Sequence, residues 1–271
     1  MNKENIKVGF IGCGHMASAI IKGVLDSKFL SSSQIIASEV NEEFAQKKAS
    51  ELGINVVTDN MFLVKNSDVI FLATKPNYIK DVLSEIKDEL TADSLVVSIA
   101  AGVSTKAIED MIGKNVPVIR VMPNAPAMIL EGMSGIVKGQ FAEAEHIQFV
   151  EEFLSNIGKC IVIEESKIDV LTAISGSGPA FFYKTINEIA RAGEKLGLEY
   201  EKALLLAIQT AIGSAKLMLE SDLTPEELIA GIATRGGCTQ VGVDFMESAN
   251  SKELFFETIK KTAEKAKALG N

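Results

Sequence analysis

Cysteine and histidine are scarce in this chain of 271 residues. The three cysteines stand at 13, 160 and 238, with no C-x-x-C pair and no neighbouring histidine. That argues against a metal site and more strongly against a disulfide framework, and a reducing cytoplasm is the expected setting. The two histidines make no general-base case: His15 occupies a variable position of a glycine turn, and His146 lies on the surface of an amphipathic helix. A Ser–His–Asp arrangement, a P-loop lysine and catalytic carboxylates paired by spacing are also missing. Positive charge is in deficit. The formal net charge is −9 and the isoelectric point about 5.0, so neither nucleic acid nor an anionic membrane is expected to be held through a general field. MNKENIK carries no apolar core ahead of the first strand, so no signal peptide is expected. No apolar run is expected to approach the ~18 residues of a membrane span.

What is present begins at Val8. Lys7 to Ile11 reads as a buried strand, Gly12-Cys13-Gly14 breaks it, and Met16 to Leu25 reads as a helix. Together they form G-x-G-x-x-A at a strand-to-helix turn, a dinucleotide fingerprint. Gly12 allows the tight turn, Gly14 removes a side chain where backbone approaches a pyrophosphate, and Ala17 lets the helix pack close on the strand. The positive end of the helix then faces the phosphates. A purely structural glycine turn is the alternative.

Further strands are expected at Gln34–Ser38, Asn55–Val57, Val69–Ala73, Leu95–Ala100, Pro117–Met122, Gly135–Val137 and Lys159–Ile163. Helices from Asn41 to Leu52 and from about Ala142 to Asn156 alternate with them. Ser104 or Thr105 caps the helix after the fifth strand. Such strands point to an open α/β sheet, whose ligand crevice lies at the carboxyl ends. Glu39, at the end of the second strand, either accepts hydrogen bonds from an adenosine ribose, which would favour NADH, or is an exposed glutamate opening a loop. Lys75, in Thr74-Lys75-Pro76, either meets cofactor or substrate or is a solvated loop charge. The length favours two domains, divided as a dinucleotide-binding domain over 1–164 and a helical dimerisation and substrate domain over 165–271.

Helical signals dominate from Ile168 onward. One helix is expected from Ile168 to Gly197, one over Tyr200–Glu220, one behind the capping box Thr224-Pro225-Glu226-Glu227, and a last one from about Lys252. In the second of these, Ala203, Ala207, Ala211 and Ala215 line one face, and Leu204, Leu205, Ile208, Ile212 and Met218 cover most of the rest. A helix apolar on most faces is buried all round. So short a domain cannot bury it alone, so an intimate oligomer is expected, with the centre of a monomeric bundle as the alternative.

Two motifs in this half are odd as scaffolding. Ser175-Gly176-Ser177-Gly178-Pro179-Ala180 puts two glycines and a proline into a helical run, at a cost of several kcal/mol in propensity, which a kink or a close ligand contact would offset. Thr234-Arg235-Gly236-Gly237-Cys238-Thr239 can aim consecutive N–H groups, or those of the helix that follows, at an anion such as a substrate carboxylate. Thr239 adds a hydroxyl donor. Either motif could also be an inter-helix turn.

Over essentially its whole length the chain resembles the pyrroline-5-carboxylate reductase family. VGFIGCGHMASAIIKG, SDVIFLATKP, VVSIAAGVS, RVMPNAPA, LTAISGSGPAFFY and TRGGCT occur in the family's order. The resemblance implies a Rossmann-like domain followed by an all-α domain that interlocks in homodimers, which in the family often assemble further into decamers. It implies reduction of pyrroline-5-carboxylate to proline with NADPH or NADH. It places Ile11, Gly12, Cys13, Gly14, His15, Met16, Ser38, Asn60, Ala73, Thr74, Lys75, Pro76, Ile99, Ala100 and Ala101 around the dinucleotide. Glu39 joins them on the reading above. Around the substrate it places Glu165, Thr172, Gly237, Cys238 and Thr239, and the anion-nest reading adds Gly236. Thr239 is the candidate donor to the imine nitrogen. The chain departs from the family loop S/T-P-G-G-x-T in having Arg235 for proline. A reductase of another cyclic imino acid or a 2-oxo acid, and a non-catalytic dinucleotide-binding relative, are the competing readings.

Overall fold

The structure, a computed structural model, describes residues 4–269. It contains two compact units, one running through Ser177 and including the segment from Thr262, the other spanning Gly178–Lys261.

The first unit alternates strands and helices: β1 (Val8–Ile11), α1 (His15–Asp26), β2 (Ile35–Ser38), α2 (Glu42–Leu52), β3 (Asn55–Val57), α3 (Asn60–Lys65), β4 (Val69–Leu72), α4 (Ile79–Ile86), β5 (Leu95–Ser98), α5 (Thr105–Ile112), β6 (Val118–Met122), β7 (Gly132–Lys138), α6 (Ala144–Leu154), β8 (Gly158–Val162) and the short α7 (Ile168–Leu171). The strands form one sheet in the order β3-β2-β1-β4-β5-β6-β7-β8. β1 pairs in parallel with both β2 and β4. The chain therefore builds outward on one side of β1 and restarts on the other, and the reversal opens a crevice at the carboxyl ends of β1 and β4.

Every residue of β1, β2, β4 and β5 is buried, as expected for parallel strands covered on both faces. On one face Phe10, Phe71 and Phe153 stack, with ring centroids 4.6 Å apart for the first two and 5.0 Å for the last two. Burying each such ring contributes roughly 1.5–3 kcal/mol. The other face holds Leu63, Leu72, Leu83, Ile86 and Ile108. The helices start where the sequence puts capping residues: Asn41 accepts the Phe44 N–H, Asp59 the Phe62 N–H and Ser104 the Ala107 N–H. Ser104, rather than Thr105, is thus the cap of α5.

β7 is longer than the sequence reading and runs antiparallel to β6, while β8 is parallel to β7. The short link from Met122 to Gly132 explains the reversal, because a parallel return needs a crossover of about a dozen residues or more.

The helix expected from Ile168 to Gly197 is interrupted. A π-helical turn, Thr172–Gly176, follows α7, and α8 (Gly178–Lys195) begins after it. The Ser177 N–H reaches the Thr172 carbonyl at 2.8 Å, a five-residue step. Ile168 and Leu171 pack against Val137, and Leu171 fills the space a side chain at Gly135 would need. These contacts carry the first unit on to Ser177, past the residue 164 boundary read from the sequence.

The second unit holds α8, α9 (Tyr200–Glu220), α10 (Pro225–Ile232) and α11 (Cys238–Ser248); α12 (Ser251–Leu269) ends the described chain. α8 and α9 pack through Gly193 and Ala203, the Tyr200 hydroxyl donates to Asn187 at 2.9 Å, and the Arg191 guanidinium lies 4.1 Å from the Tyr200 ring centre. Of the alanine ridge, Ala203 and Ala207 are buried, Ala211 is half-buried and Ala215 is exposed. α9 is not buried all round within one chain: Leu205 is 66 %, Ile212 44 % and Leu219 71 % exposed. By length and composition α9 is apolar enough to cross a membrane, contrary to the expectation that no run approaches that size.

Candidate functional site

The crevice is built from the ends of β1, β2, β4 and β5. Gly12, at φ +91°, turns the chain out of β1, and a side chain there would lie 2.9 Å from the Ala73 carbonyl. Only glycine fits that contact and that backbone angle together. Gly14 caps α1 with no side-chain hydrogen bond, and a Cβ on it would meet nothing within 4 Å. Open space therefore stands before the N-terminus of a helix with no acidic residue in its first turn, which suits a pyrophosphate. His15 and Met16 open that helix and Ala17 is buried against the sheet.

At the next strand end, Glu39 is not a loop glutamate pointing away. Its Oε1 accepts the Cys13 N–H at 2.5 Å. Ser38 donates to Asn60 Oδ1 at 2.7 Å, and Asn60 donates on to Glu85 at 2.9 Å. From β4, Ala73 packs against the first core and Thr74 lies beside Gly12. The Thr74 hydroxyl is buried and has no hydrogen-bond partner. Lys75 is exposed, and Pro76 starts a 3-10 turn behind it. From β5, Ile99 is half-buried, Ala100 buried and Ala101 exposed. The open cradle at Gly14 and the orphaned Thr74 hydroxyl are what a dinucleotide would fill and satisfy, so the residues present fit that group. Burial pushes the Cys13 thiol above its ordinary pKa, so it stays protonated and acts as a small packing residue.

Two clusters in the same unit escape a reading of motifs. Arg120, buried in the middle of β6, donates through Nη1 to Glu165 Oε1 at 2.5 Å. Glu165 Oε2 accepts both the N–H and the hydroxyl of Thr105, at 3.0 and 2.6 Å. Both oxygens of Glu165 are thus engaged within the unit, while Arg120 Nε is buried without a partner. The available signal was an arginine inside the apolar strand VIRVM, because a buried charge needs a partner. The second cluster centres on Asn124. Its amide donates to the carbonyl and hydroxyl of Ser175, at 3.2 and 3.3 Å, and its Oδ1 accepts the Met133 N–H at 2.9 Å. Asn124 thereby ties the loop after β6 and the start of β7 to the π turn. Thr172 opens that turn, its hydroxyl bonded back to the Ile168 carbonyl at 2.8 Å. π turns concentrate at functional sites.

In the second unit, Gly236 takes φ +78° and Gly237 becomes the N-cap of α11. The Gly237 N–H closes the bend onto the Thr234 carbonyl at 2.9 Å, so it is not one of the anion-facing donors expected from the sequence. The N–H groups of the first turn of α11 have no intrahelical acceptor and are free to meet an anion. That turn contains Cys238, which is exposed, and Thr239, which is half-buried.

Two family models match the chain. "Pyrroline-5-carboxylate reductase dimerisation" covers residues 165–269 and "NADP oxidoreductase coenzyme F420-dependent" covers residues 7–102. A pyrroline-5-carboxylate reductase of Methanosarcina acetivorans is 39% identical over 98% of this chain and 99% of its own length. The Aquifex aeolicus enzyme of the same name is 38% identical over 97% of both chains. Among solved structures, a pyrroline-5-carboxylate reductase from Coxiella burnetii superposes with a TM-score of 0.94 at 32% identity, covering 100% of both chains. The Plasmodium falciparum pyrroline carboxylate reductase, solved with NADP bound, gives a TM-score of 0.88 at 30% identity, also over 100% of both.

Proposed function

The chain belongs to the pyrroline-5-carboxylate reductase family, and on that premise we propose how its own residues carry out the reaction. It is an NAD(P)H-dependent oxidoreductase that reduces the cyclic imine pyrroline-5-carboxylate to proline, and its helical half is a dimerisation domain.

When bound, the nicotinamide supplies the hydride. The turn of Ile11 to Met16 holds the dinucleotide, with Ser38, Glu39, Asn60, the segment Ala73–Pro76 and the segment Ile99–Ala101 around it. The substrate is held by the bend and first turn of α11, Gly236 to Thr239, and the family resemblance adds Glu165 and Thr172 to the proposed substrate residues. Backbone N–H groups of that turn hold the carboxylate and fix which face of the ring is presented. Thr239 donates a hydrogen bond from its hydroxyl to the imine nitrogen and keeps its own proton. The bond draws electron density from the C=N carbon and makes it the better hydride acceptor, while the proton that the nitrogen gains comes from solvent. Such positioning accounts for much of the rate when little else is asked of side chains.

We further propose that the bend acting on each dinucleotide site comes from the partner subunit. The working unit is then a homodimer, with a decamer built from five such dimers as the complete assembly in the cytoplasm. We place the functional boundary after residue 164, a reading supported by the dimerisation match over residues 165–269. One observation carries the site assignment: Thr239 stands in the first turn of α11 directly behind a diglycine bend. Steady-state kinetics of Thr239→Ala with pyrroline-5-carboxylate test it. Lower turnover at unchanged cofactor affinity supports the role, and unchanged kinetics remove Thr239 from the mechanism.

A further inference from the structure

We infer that this chain selects NADH over NADPH and that Glu39 makes the selection. The inference rests on the reading of the glycine turn as the dinucleotide site. Glu39 follows the last residue of β2, the strand paired with β1, and in dinucleotide folds an acidic group there meets the adenosine ribose. Its carboxylate is pinned by the Cys13 N–H at 2.5 Å, which fixes an acceptor-only group beside the turn. A ribose diol can donate two hydroxyl hydrogens to such a group. A 2′-phosphate can donate none to match them and would bring like charge against it.

The chain after Glu39 offers a phosphate nothing in return. Ser38 already donates its hydroxyl to Asn60. Val40 is 95 % exposed and apolar. The start of α2, which could otherwise hold an anion, is capped by the Asn41 side chain and has Glu42 and Glu43 in its first turn. The first cations along the chain, Lys47 and Lys48, lie beyond that turn; the Lys48 charge reaches Cys13, but its ammonium is committed to Glu51 at 3.0 Å. Three carboxylates and no cation therefore line the segment from Glu39 to Gln46. The NADP held by the Plasmodium relative belongs to that protein; the selection assigned here follows from side chains of this one.

The test uses the full-length protein and two readouts. NADH and NADPH binding are measured by calorimetry without substrate, and initial rates are measured with each cofactor on pyrroline-5-carboxylate. Like-charge repulsion at this range should give the wild type a preference for NADH of about tenfold or more in Kd. Glu39→Ser should bring the two constants together, chiefly by tightening NADPH. Glu39→Gln keeps an acceptor for the Cys13 N–H and removes only the charge, so it should narrow the gap even if the serine variant folds poorly. A wild type that binds NADPH as tightly as NADH, or a preference unchanged in Glu39→Gln, overturns the inference. A protein that prefers NADH in binding yet does not turn over the imine leaves the inference standing and removes the reductase reading instead.

Discussion

The two units solve the burial problem in opposite ways. In the first, four adjacent strands are buried along their whole length and three phenylalanines stack at their centre. In the second, the longest helix buries only Ala203 and Ala207 and leaves a stripe of Leu205, Ile208, Ile212 and Leu219 exposed within the chain. A stripe of that extent is what association covers, and the match of residues 165–269 to a dimerisation family says with what. The first unit carries its own core; the second buries little within one chain and matches a dimerisation family. The candidate chemistry follows the same division: the residues proposed to hold the dinucleotide belong to the first unit, and the proposed donor Thr239 to the second.

The comparison breaks most sharply at Ile212. Ile212→Glu would place a carboxylate in the apolar interface, and an uncompensated buried charge costs several kcal/mol. The dissociation constant should rise by about a thousandfold or more. Sedimentation at micromolar protein should show monomers, with nucleotide still bound by the first unit. A variant that keeps its wild-type mass would mean that this stripe is not the covered face. Thr239→Ala is expected to be the next largest effect. Losing a hydrogen bond to a group that gains charge in the reaction costs about 1.5–3 kcal/mol, or roughly ten- to a hundredfold in kcat. Thr239→Ser should restore most of it, and the Kd for cofactor should not move.

Arg120→Met sharpens the other half of the contrast. It leaves Glu165 held by Thr105 alone. Because the Glu165 side chain is 33% exposed, the full penalty of a buried pair does not apply, and a loss of about 1–2 kcal/mol is expected in urea unfolding of the first unit. The oligomer should remain intact in sedimentation. The smallest expected effect concerns Cys13. Burial raises its pKa, so below the folded pKa, and above it for as long as the core excludes reagent, a thiol reagent should leave it untouched until denaturant is added. Labelling of Cys13 in the native protein would show that the glycine turn opens.

Much of the first unit was legible because its signals are local. The glycine turn, the apolar strands and the caps at Asn41, Asp59 and Ser104 each sit within a few residues of the structure they specify. β7 was harder, since strand direction depends on the length of a link and not on the strand's own residues. The π turn was visible only as an unexplained concentration of glycine and proline at SGSGPA. Asn124 and Arg120 were missed as organisers because their partners lie 51 and 45 residues away. Glu165 entered through family resemblance, and the structure shows why periodicity could not find it: one carboxylate joins a strand, a helix start and a loop that no window spans together. In the second unit the pattern was read correctly as apolar on most faces, but a sequence cannot say whether the covering surface belongs to the same chain.

The uncovered stripe on α9 carries a consequence for how much enzyme a given amount of polypeptide represents. When a dimerisation domain leaves an apolar stripe open until a second copy covers it, folding free energy depends on how many copies are present. Specific activity should then fall on dilution, recover on concentration, and resist heat better in a crowded tube than in a sparse one.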